Sequence, residues 1–232
     1  MSTNIKVAAI LLGAGSSSRM NGVDKIMMPL LGRPLLSYSL ERLEQSSIVN
    51  SIVVVTTKHN EVTIRRFVED QPVSKVSAIC VGGTRRQDSV RIGLEHVADA
   101  THVLVHDGAR PLVNRELIER GVEAVLHHEA AIAAVPVKDT IKTVGADMLV
   151  LDTVPREHLW AVQTPQIFEL ELLKTAHQRI GEDVTDDATM VERLGHKVKI
   201  FMGSYENIKV TTAEDVVIAE ALIRSRSTVN IA

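Results

Sequence analysis

Short apolar runs alternate with amphipathic segments along most of this chain. Each apolar run is followed by glycine or polar residues, and then by a longer segment whose apolar residues recur at helical spacing. Strands that alternate with helices in this way predict βαβ units and a mostly parallel sheet with helices on both faces. The predicted strands lie at residues 7–12, 51–57, 76–81, 102–106, 130–135, 197–202 and 207–210; the predicted helices lie at 35–44, 60–69, 88–97, 114–128, 169–180 and 213–225, with a further helix after Thr185.

This alternation breaks at Pro136. Two segments with alternating polar and apolar residues, on either side of a turn at 145–147, predict a β-hairpin within residues 137–154. An isolated hairpin is marginally stable in water, so we expect it to pack on a partner subunit. The fold class is therefore α/β: a single Rossmann-like domain over residues 1–232, with a mostly parallel central sheet flanked by helices, plus a protruding β-hairpin arm at about residues 137–158.

The composition excludes several classes of function. Apolar residues make up 45% of the chain and charged residues 24%, which is typical of a protein with a sizeable core. Aromatic residues at 3% are too sparse to stack on single-stranded nucleic acid, and a net charge of −3 gives no basic field for DNA or an anionic membrane. No apolar run approaches the roughly 20 residues of a membrane span, and residues 1–6 do not resemble a signal peptide. We predict a cytoplasmic protein with neither a nucleic-acid nor a membrane partner.

Cysteine and histidine give no sign of a thiolate or imidazole metal site. Cys80 is the only cysteine and lies within an apolar strand, so we interpret it as a core thiol. His106, His127, His128 and His177 show no ligand spacing that indicates a metal centre.

The first predicted strand leads into a long loop of small residues. Gly13, Ala14 and Gly15 leave the strand, and small residues at such a point let backbone N–H groups wrap a phosphate chain. Arg19 and Lys25 add positive charge on the same loop. The loop fits neither the P-loop nor the dinucleotide fingerprint. It predicts a site for several negative charges, such as a triphosphate, with an ordinary βα turn as the alternative.

Three further positions are candidates for chemistry. Asp107 follows the fourth predicted strand, at the carboxyl edge where open α/β sheets bind ligands, and a carboxylate there is a plausible Mg²⁺ ligand. The alternative is a turn residue ahead of a glycine. The 82–89 loop either contacts a nucleotide or is a glycine turn in which Asp88 or Ser89 caps the next helix. By pattern alone, the acids after Thr185 cap a helix and Lys209 is a surface lysine at the end of a short strand.

A series of short motifs runs in order along nearly the whole chain. They are Gly13-Ala14-Gly15-x-x-x-Arg19-Met20, Gly82-Gly83-x-x-Arg86-x-Asp88-Ser89-Val90, His106-Asp107-Gly108-Ala109-Arg110-Pro111, Asp139-Thr140-Ile141-Lys142, Arg156-x-x-Leu159-Trp160, Gln163-Thr164-Pro165-Gln166, Thr185-Asp186 and Asn207-Ile208-Lys209-Val210-Thr211. In these motifs the chain resembles the 2-C-methyl-D-erythritol 4-phosphate cytidylyltransferase family, within the glycosyltransferase-A-like nucleotidyltransferases. The chain departs from the family pattern at Ser17, Asp24 and Thr84, and none of these departures changes the reaction that the resemblance implies.

The resemblance implies that CTP and a sugar-alcohol phosphate become a CDP-alditol and pyrophosphate, with Mg²⁺ as cofactor, in non-mevalonate isoprenoid biosynthesis. The implied catalytic cations are Arg19, Lys25 and Lys209, and the implied metal ligand is Asp107. The implied nucleotide contacts are Gly13, Ala14, Gly15, Gly82, Gly83 and Ser89. The implied acceptor contacts are Arg110, Thr140, Arg156, Thr164 and Thr185, of which the arm residues Thr140 and Arg156 come from the other subunit of a homodimer.

Two alternatives remain at this point. Ribitol-5-phosphate cytidylyltransferases share almost all of these motifs and differ chiefly in the acceptor. A non-catalytic nucleotide-binding regulatory module would keep the fold without turnover, although such a protein would not need cations at the α-phosphate. Attack by an anionic phosphate on a triphosphate requires alignment and charge neutralisation, and it requires no histidine base.

Overall fold

The structure, a computed structural model, describes residues 5–14 and 26–229, with the backbone alone for 227–229. Its strands are β1 (Val7–Leu12), β2 (Pro29–Leu30), β3 (Arg33–Pro34), β4 (Val49–Thr56), β5 (Val76–Val81), β6 (His102–Asp107), β7 (Ala130–Pro136), β8 (Ile141–Val144), β9 (Val150–Val154), β10 (Trp160–Glu169) and β11 (Lys199–Met202). Its helices are α1 (Leu35–Gln45), α2 (Glu61–Glu69), α3 (Arg86–Glu95), α4 (Arg115–Val125), α5 (Leu170–Arg179), α6 (Asp187–Arg193) and α7 (Ala213–Val229), with a 3₁₀ turn at Arg156–His158.

The predicted mostly parallel sheet is confirmed. Seven strands lie in the order β11-β7-β10-β6-β1-β4-β5, and only β10 runs antiparallel to its neighbours β6 and β7. Strand β1 lies inside the sheet between β4 and β6, and all six of its residues are buried. A strand covered on both faces reads as a continuous apolar run, which is why its sequence lacks alternation.

Two apolar layers cover the two faces of the sheet. Successive side chains of β1 point to opposite faces, so Ala9 and Leu11 join one layer while Ile10 and Leu12 join the other. The first layer takes the apolar faces of α1, α2 and α4, and the second takes those of α3, α5 and α6. Because helices pack on both faces, the sheet is held in place, and residues at the carboxyl ends of β1 and β6 have fixed positions.

Strand β10 and the segment at 207–210 depart from the sequence prediction. Strand β10 was not predicted, because Gln163, Thr164 and Pro165 interrupt its alternation where its pairing with β7 shifts register. The predicted strand at 207–210 is wrong, since the segment has no strand structure. It is attached by a hydrogen bond from the Val210 N–H to the Ala109 carbonyl (2.8 Å), rather than by a ladder.

The predicted hairpin arm is confirmed. Strands β8 and β9 pair antiparallel with Ile141 opposite Val154, and they form a sheet separate from the main one. The arm exposes a group of large apolar side chains at its turn and along its strands. These are Val144 (48% exposed), Met148 (77%), Leu149 (65%), Val150 (59%) and Leu151 (70%).

Two other predictions bear on the core and on membranes. Cys80 is buried, and burial raises the pKa of its thiol to about 11, as expected for an inert core cysteine. None of the helices in the described ranges is long and apolar enough to cross a membrane.

Candidate active site

Two cavities adjoin at the carboxyl edge of the sheet, where Leu12 of β1 pairs with Asp107 of β6. The larger has a volume of about 370 Å³ and the smaller of about 130 Å³. Arg86, Asp107 and Lys209 line both, so these three residues form the wall that the cavities share. A ligand in one cavity therefore meets a ligand in the other at this wall.

The smaller cavity lies against the predicted phosphate loop. Gly13 and Ala14 line it, and the Gly13 N–H donates to the carbonyl of Val55 (2.6 Å). A Cβ on Gly13 would lie 2.6 Å from Ile26 Cδ1 and 3.1 Å from the Val55 carbonyl oxygen, so a larger residue here would require Ile26 to move. Gly15, Arg19 and Lys25, the other predicted residues of this loop, lie outside the described residues.

The second glycine loop packs directly on the first. A Cβ on Gly82 would lie 2.6 Å from the Ala14 Cβ and 2.5 Å from Ser89 Oγ, so glycine here lets the two loops touch. Ser89 lies inside α3, where its hydroxyl oxygen accepts a hydrogen bond from the Gly83 N–H (3.2 Å). The structure thus brings Gly82, Gly83 and Ser89 beside the smaller cavity.

Helix α3 begins with a capping box that includes Asp88, one of the two residues that the glycine-turn alternative suggested. Its N-cap is Arg85, whose N–H donates to the Asp88 carboxylate (3.2 Å). Asp88 thus takes part in a capping box, whereas Ser89 as the cap is wrong. Capping by Arg85 places Arg86 at the first position of the helix, at the shared wall.

Asp107 is buried between two cations. Its Oδ2 lies 2.6 Å from Lys209 Nζ, and its Oδ1 lies 3.3 Å from Arg86 Nε. Burial alone would raise the pKa of the Asp107 carboxyl, but the charges of Arg86 and Lys209 outweigh it and hold that pKa well below its usual range. The wall therefore carries an ionised carboxylate with a cation on each side.

The hydroxyl of Thr164 joins β10 to the end of β6. It accepts a hydrogen bond from the Asp107 N–H (3.0 Å) and lies 3.1 Å from His106 Nδ1. Burial lowers the pKa of His106 to about 4, so its ring is neutral at pH 7. The ring Nε2 lies 3.2 Å from the carbonyl oxygen of Arg110, so Nε2 carries the proton and Nδ1 accepts from Thr164. His106 therefore orients neighbours and is no base.

The segment that carries Lys209 is tied to both strands. The guanidinium of Arg110 donates to the Asn207 carbonyl (2.7 Å), and the Asn207 amide donates to the Thr164 carbonyl (2.8 Å). Gln163 adds a bond from its amide to the Ser204 carbonyl (2.8 Å). These contacts hold Lys209 against Asp107, so it is a site lysine, contrary to its interpretation by pattern as a surface residue.

The larger cavity has the polarity that a hydroxylated ligand needs. Arg110, Thr164 and Thr185 line it together with Gln166 and Asp186. Arg110 Nε and Gln166 Oε1 are buried without a hydrogen-bond partner among the described residues. Because unpaired buried polar atoms cost free energy, these two favour a ligand with both donors and acceptors.

The arm residues lie apart from these cavities. Thr140 and Arg156 are exposed and line neither of them. Arg156 instead donates to the carbonyl of Lys138 at the base of the arm. One chain, over its described residues, therefore assembles the body of the site without the two predicted arm contacts.

Sequence reasoning missed three residues that lie at the wall or are linked to it by hydrogen bonds. Arg86 bonds to both Asp107 and Asp187, and His177 lies 3.0 Å from Asp187. Arg86 stands inside the second glycine motif, which was the available signal. Asp187 was interpreted only as a helix-capping acid, although the cap is Asp186, whose carboxylate accepts from the Thr189 N–H (3.1 Å).

Comparison with known proteins identifies the family of this chain. Residues 7–225 match the model of the 2-C-methyl-D-erythritol 4-phosphate cytidylyltransferase family. The chain is 47% identical to the 2-C-methyl-D-erythritol 4-phosphate cytidylyltransferase of Dehalococcoides mccartyi strain CBDB1, over 97% of this chain and 99% of that protein. It is also 47% identical to the enzyme of the same name from Pelotomaculum thermopropionicum, over 95% of each chain.

The fold is likewise similar to a solved structure. The crystal structure of 4-diphosphocytidyl-2C-methyl-D-erythritol synthase from Anaerococcus prevotii superposes with a TM-score of 0.84 at 30% identity, covering 95% of this chain and 99% of that one. Sequence, fold and site geometry lead to one assignment: this chain belongs to the 2-C-methyl-D-erythritol 4-phosphate cytidylyltransferase family.

Proposed function

We propose that this protein transfers a cytidylyl group from CTP to 2-C-methyl-D-erythritol 4-phosphate, giving 4-diphosphocytidyl-2-C-methyl-D-erythritol and pyrophosphate in non-mevalonate isoprenoid biosynthesis. The observation that carries the proposal is the wall of Arg86, Asp107 and Lys209 between two cavities. Transfer between two anionic substrates requires that both meet beside positive charge. A shared wall with two cations meets that requirement.

The smaller cavity is the proposed end of the nucleotide site. Gly13 and Ala14 line it at the carboxyl end of β1, where small residues let a phosphate approach the backbone, and Gly82, Gly83 and Ser89 pack beside them. The triphosphate would lie along this loop, where Arg19 and Lys25 are the proposed catalytic cations along with Lys209. Gly15 completes the proposed set of nucleotide contacts.

The larger cavity is the proposed acceptor site. Arg110, Thr164 and Thr185 would bind the polyol, whose hydroxyl groups both donate and accept hydrogen bonds. The unpaired Arg110 Nε would then gain an acceptor. The acceptor phosphate would then lie at the wall, facing the nucleotide.

The reaction forms one bond and breaks one. An oxygen of the acceptor phosphate attacks the α-phosphorus of CTP, and the bond from that phosphorus to the oxygen bridging the α- and β-phosphates breaks, so that pyrophosphate leaves with the electron pair. The attacking phosphate is already ionised near pH 7, so no base is needed. Lys209 reduces the repulsion between the two anions and stabilises the charge that builds on the α-phosphate.

Asp107 is the proposed ligand of Mg²⁺. Mg²⁺ in nucleotide sites takes one or two carboxylates and completes its shell with phosphate oxygens and water. Asp107 fits this donor set, since it is an ionised oxygen ligand at the edge of the triphosphate cavity. The ion would supply positive charge across the phosphates when bound.

A homodimer with shared sites is proposed from the arm. Its exposed apolar side chains would be covered by a second copy, and an exchange of arms would give an isologous interface. Thr140 and Arg156 would then bind the acceptor phosphate in the partner's site, where the guanidinium can grip two oxygens. A cytoplasmic location stays a prediction.

The test compares two acceptors. Pyrophosphate release from CTP is measured with 2-C-methyl-D-erythritol 4-phosphate and, side by side, with ribitol 5-phosphate, each with and without Mg²⁺. We expect turnover that depends on the first acceptor. Equal or better turnover with ribitol 5-phosphate would assign the ribitol enzyme, an alternative that the family match does not favour. Tight CTP binding without turnover on either acceptor would leave the non-catalytic module.

A further inference from the structure

A continuous series of bonds links the wall of the site to a cavity on another surface. Lys209 contacts Asp107, Asp107 contacts Arg86, Arg86 contacts Asp187, and Asp187 contacts His177. His177 belongs to α5, Asp187 to α6 and Arg86 to α3, so three helices meet in this series. Asp187 and His177 line neither cavity of the candidate active site.

The distances indicate which carboxylate fixes Arg86. Its NH1 lies 2.6 Å from Asp187 Oδ2, whereas its Nε lies 3.3 Å from Asp107 Oδ1. A contact of 2.6 Å is a strong charge-assisted hydrogen bond, and one of 3.3 Å is a weak one. The guanidinium is therefore fixed mainly by Asp187, and its hydrogen bond to Asp107 is weak.

Asp187 is in turn held by two donors. It is fully buried, and its other oxygen accepts from His177 Nε2 at 3.0 Å. Burial would raise the pKa of Asp187, but the charge of Arg86 and the bond from His177 outweigh it and lower that pKa, so the carboxylate is ionised. Both oxygens of Asp187 thus have assigned donors, and its orientation is fixed.

The balance of charges shows why the contact between Asp187 and Arg86 matters. With Asp187 present, the charge of Arg86 is balanced mainly by Asp187, and the charge of Asp107 is balanced mainly by Lys209. Without Asp187, Arg86 would turn its full fork onto Asp107 and the wall would carry an excess positive charge. Asp107 would then be drawn towards Arg86, and its contact with Lys209 at 2.6 Å would weaken.

We propose that Asp187 and His177 are positioning residues that hold Arg86 at the wall, so that Asp107 and Lys209 keep the arrangement the transfer requires. This inference rests on the proposed function. Outer contacts of this kind act on the step in which charge develops, so their loss lowers kcat more than it raises KM.

The cavity next to His177 makes a rescue experiment feasible. A space of about 320 Å³ is lined by Arg91, Leu94, Glu95, Lys174, His177 and Gln178, none of which lines the two cavities of the site. His177→Ala would leave a hole of imidazole shape beside this space. Added imidazole should enter it and donate to Asp187 again. Gln178→Ala, in the same helix and the same cavity, is the matched control, because Gln178 lies outside the series of bonds.

Wild-type turnover is measured first, since its absence would overturn the proposed function rather than this inference. We expect Asp187→Asn to lower kcat by about 10- to 100-fold, the usual cost of losing an outer contact, with a smaller change in KM for CTP. We expect His177→Ala to lower kcat as well, and added imidazole to restore part of that loss. Gln178→Ala should keep the kcat of the wild type, both with and without imidazole. Thermal unfolding of each variant sets an assay temperature at which it is folded.

Three results would overturn the inference. The first is a kcat of folded Asp187→Asn equal to that of the wild type. The second is a loss in His177→Ala that imidazole leaves unchanged, which would indicate general damage. The third covers the case in which His177→Ala does not fold: His177→Gln, which keeps a side-chain donor, should then retain more kcat than Asp187→Asn, and the reverse order would contradict the proposal.

Discussion

The wall of the site and the arm use their polar residues in opposite ways. At the wall, Asp107 is 7% exposed and each of its oxygens faces a cation of the same chain. On the arm, Thr140 and Arg156 are exposed, beside apolar side chains such as Met148 and Leu151 that are 77% and 70% exposed. Among the described residues, the contacts of the wall all come from one chain, whereas the exposed apolar side chains of the arm favour burial against a second copy. The proposed dimer would thus divide the site, with the wall built by one chain and part of acceptor binding supplied by its neighbour.

The largest expected effect is at the wall. Asp107→Asn removes the negative charge between Arg86 and Lys209 while keeping the shape of the side chain. We expect kcat to fall by about 10²- to 10³-fold, as when a preorganised electrostatic group is lost. Steady-state pyrophosphate release at several Mg²⁺ concentrations measures it, and unfolding controls for stability. Turnover like that of the wild type at limiting Mg²⁺ would remove Asp107 from the metal site.

The next effect tests whether the arm serves the neighbouring subunit. Arg156→Ala and Lys209→Ala should each be nearly inactive, because each removes a charge from every site of its own dimer. Mixing them under subunit exchange should restore up to one intact site in each mixed dimer, since one site then carries neither change. Mass spectrometry of tagged subunits shows whether mixed dimers form. Mixed dimers without activity would place both residues in the same site of one chain.

The third prediction concerns the pH dependence of stability that arises from the buried His106, the neighbour of Asp107 in the chain. Burial lowers the pKa of His106 from 6.5 to about 4, so the unfolded chain binds this proton at higher pH than the folded protein. The free energy of unfolding should therefore fall as pH drops from 6.5 towards 4, by about 3 kcal/mol at the low end. Below about pH 4 the depressed pKa of Asp107 adds a further loss.

Chemical denaturation across this pH range measures that slope. His106→Gln should flatten it, while His127→Gln, a change at an exposed histidine, should leave it as in the wild type. Equal slopes in the wild type and His106→Gln would mean that His106 is not held neutral by burial.

The smallest expected effect is that of a single arm hydroxyl. Thr140→Val keeps the size of the side chain and removes one hydrogen bond to the acceptor phosphate. We expect KM for the acceptor to rise by about tenfold, the cost of one bond to a charged group, with little change in KM for CTP. Thr143→Val, an exposed position of β8, is the matched control. A rise in KM for CTP instead would move Thr140 to the nucleotide side.

Local patterns predicted the parts of the fold that local residues decide. The apolar runs at 76–81 and 130–135 became β5 and β7, and the break at Pro136 became the start of the arm. Strand β10 escaped prediction because a bulge disrupts its alternation, and its place between β6 and β7 depends on residues far away in the chain. The segment 207–210, predicted as a strand, forms no ladder with a neighbouring strand. A strand requires a pairing partner, and a short local pattern does not show whether one is present.

The sequence by itself determined the succession of strands and helices, the arm, the motifs and the family, because each depends on neighbouring residues or on the order of short motifs along the chain. The resemblance already implied a role for Lys209, whereas only the tertiary structure decided that Lys209 contacts Asp107, that Arg86 joins Asp107 to Asp187, and that His177 contacts Asp187. Arg86 and Asp187 are 101 positions apart. Their bond exists because α3 and α6 pack on the same face of the sheet, and the energy of a buried ion pair depends on that packing and on distances that no local pattern encodes.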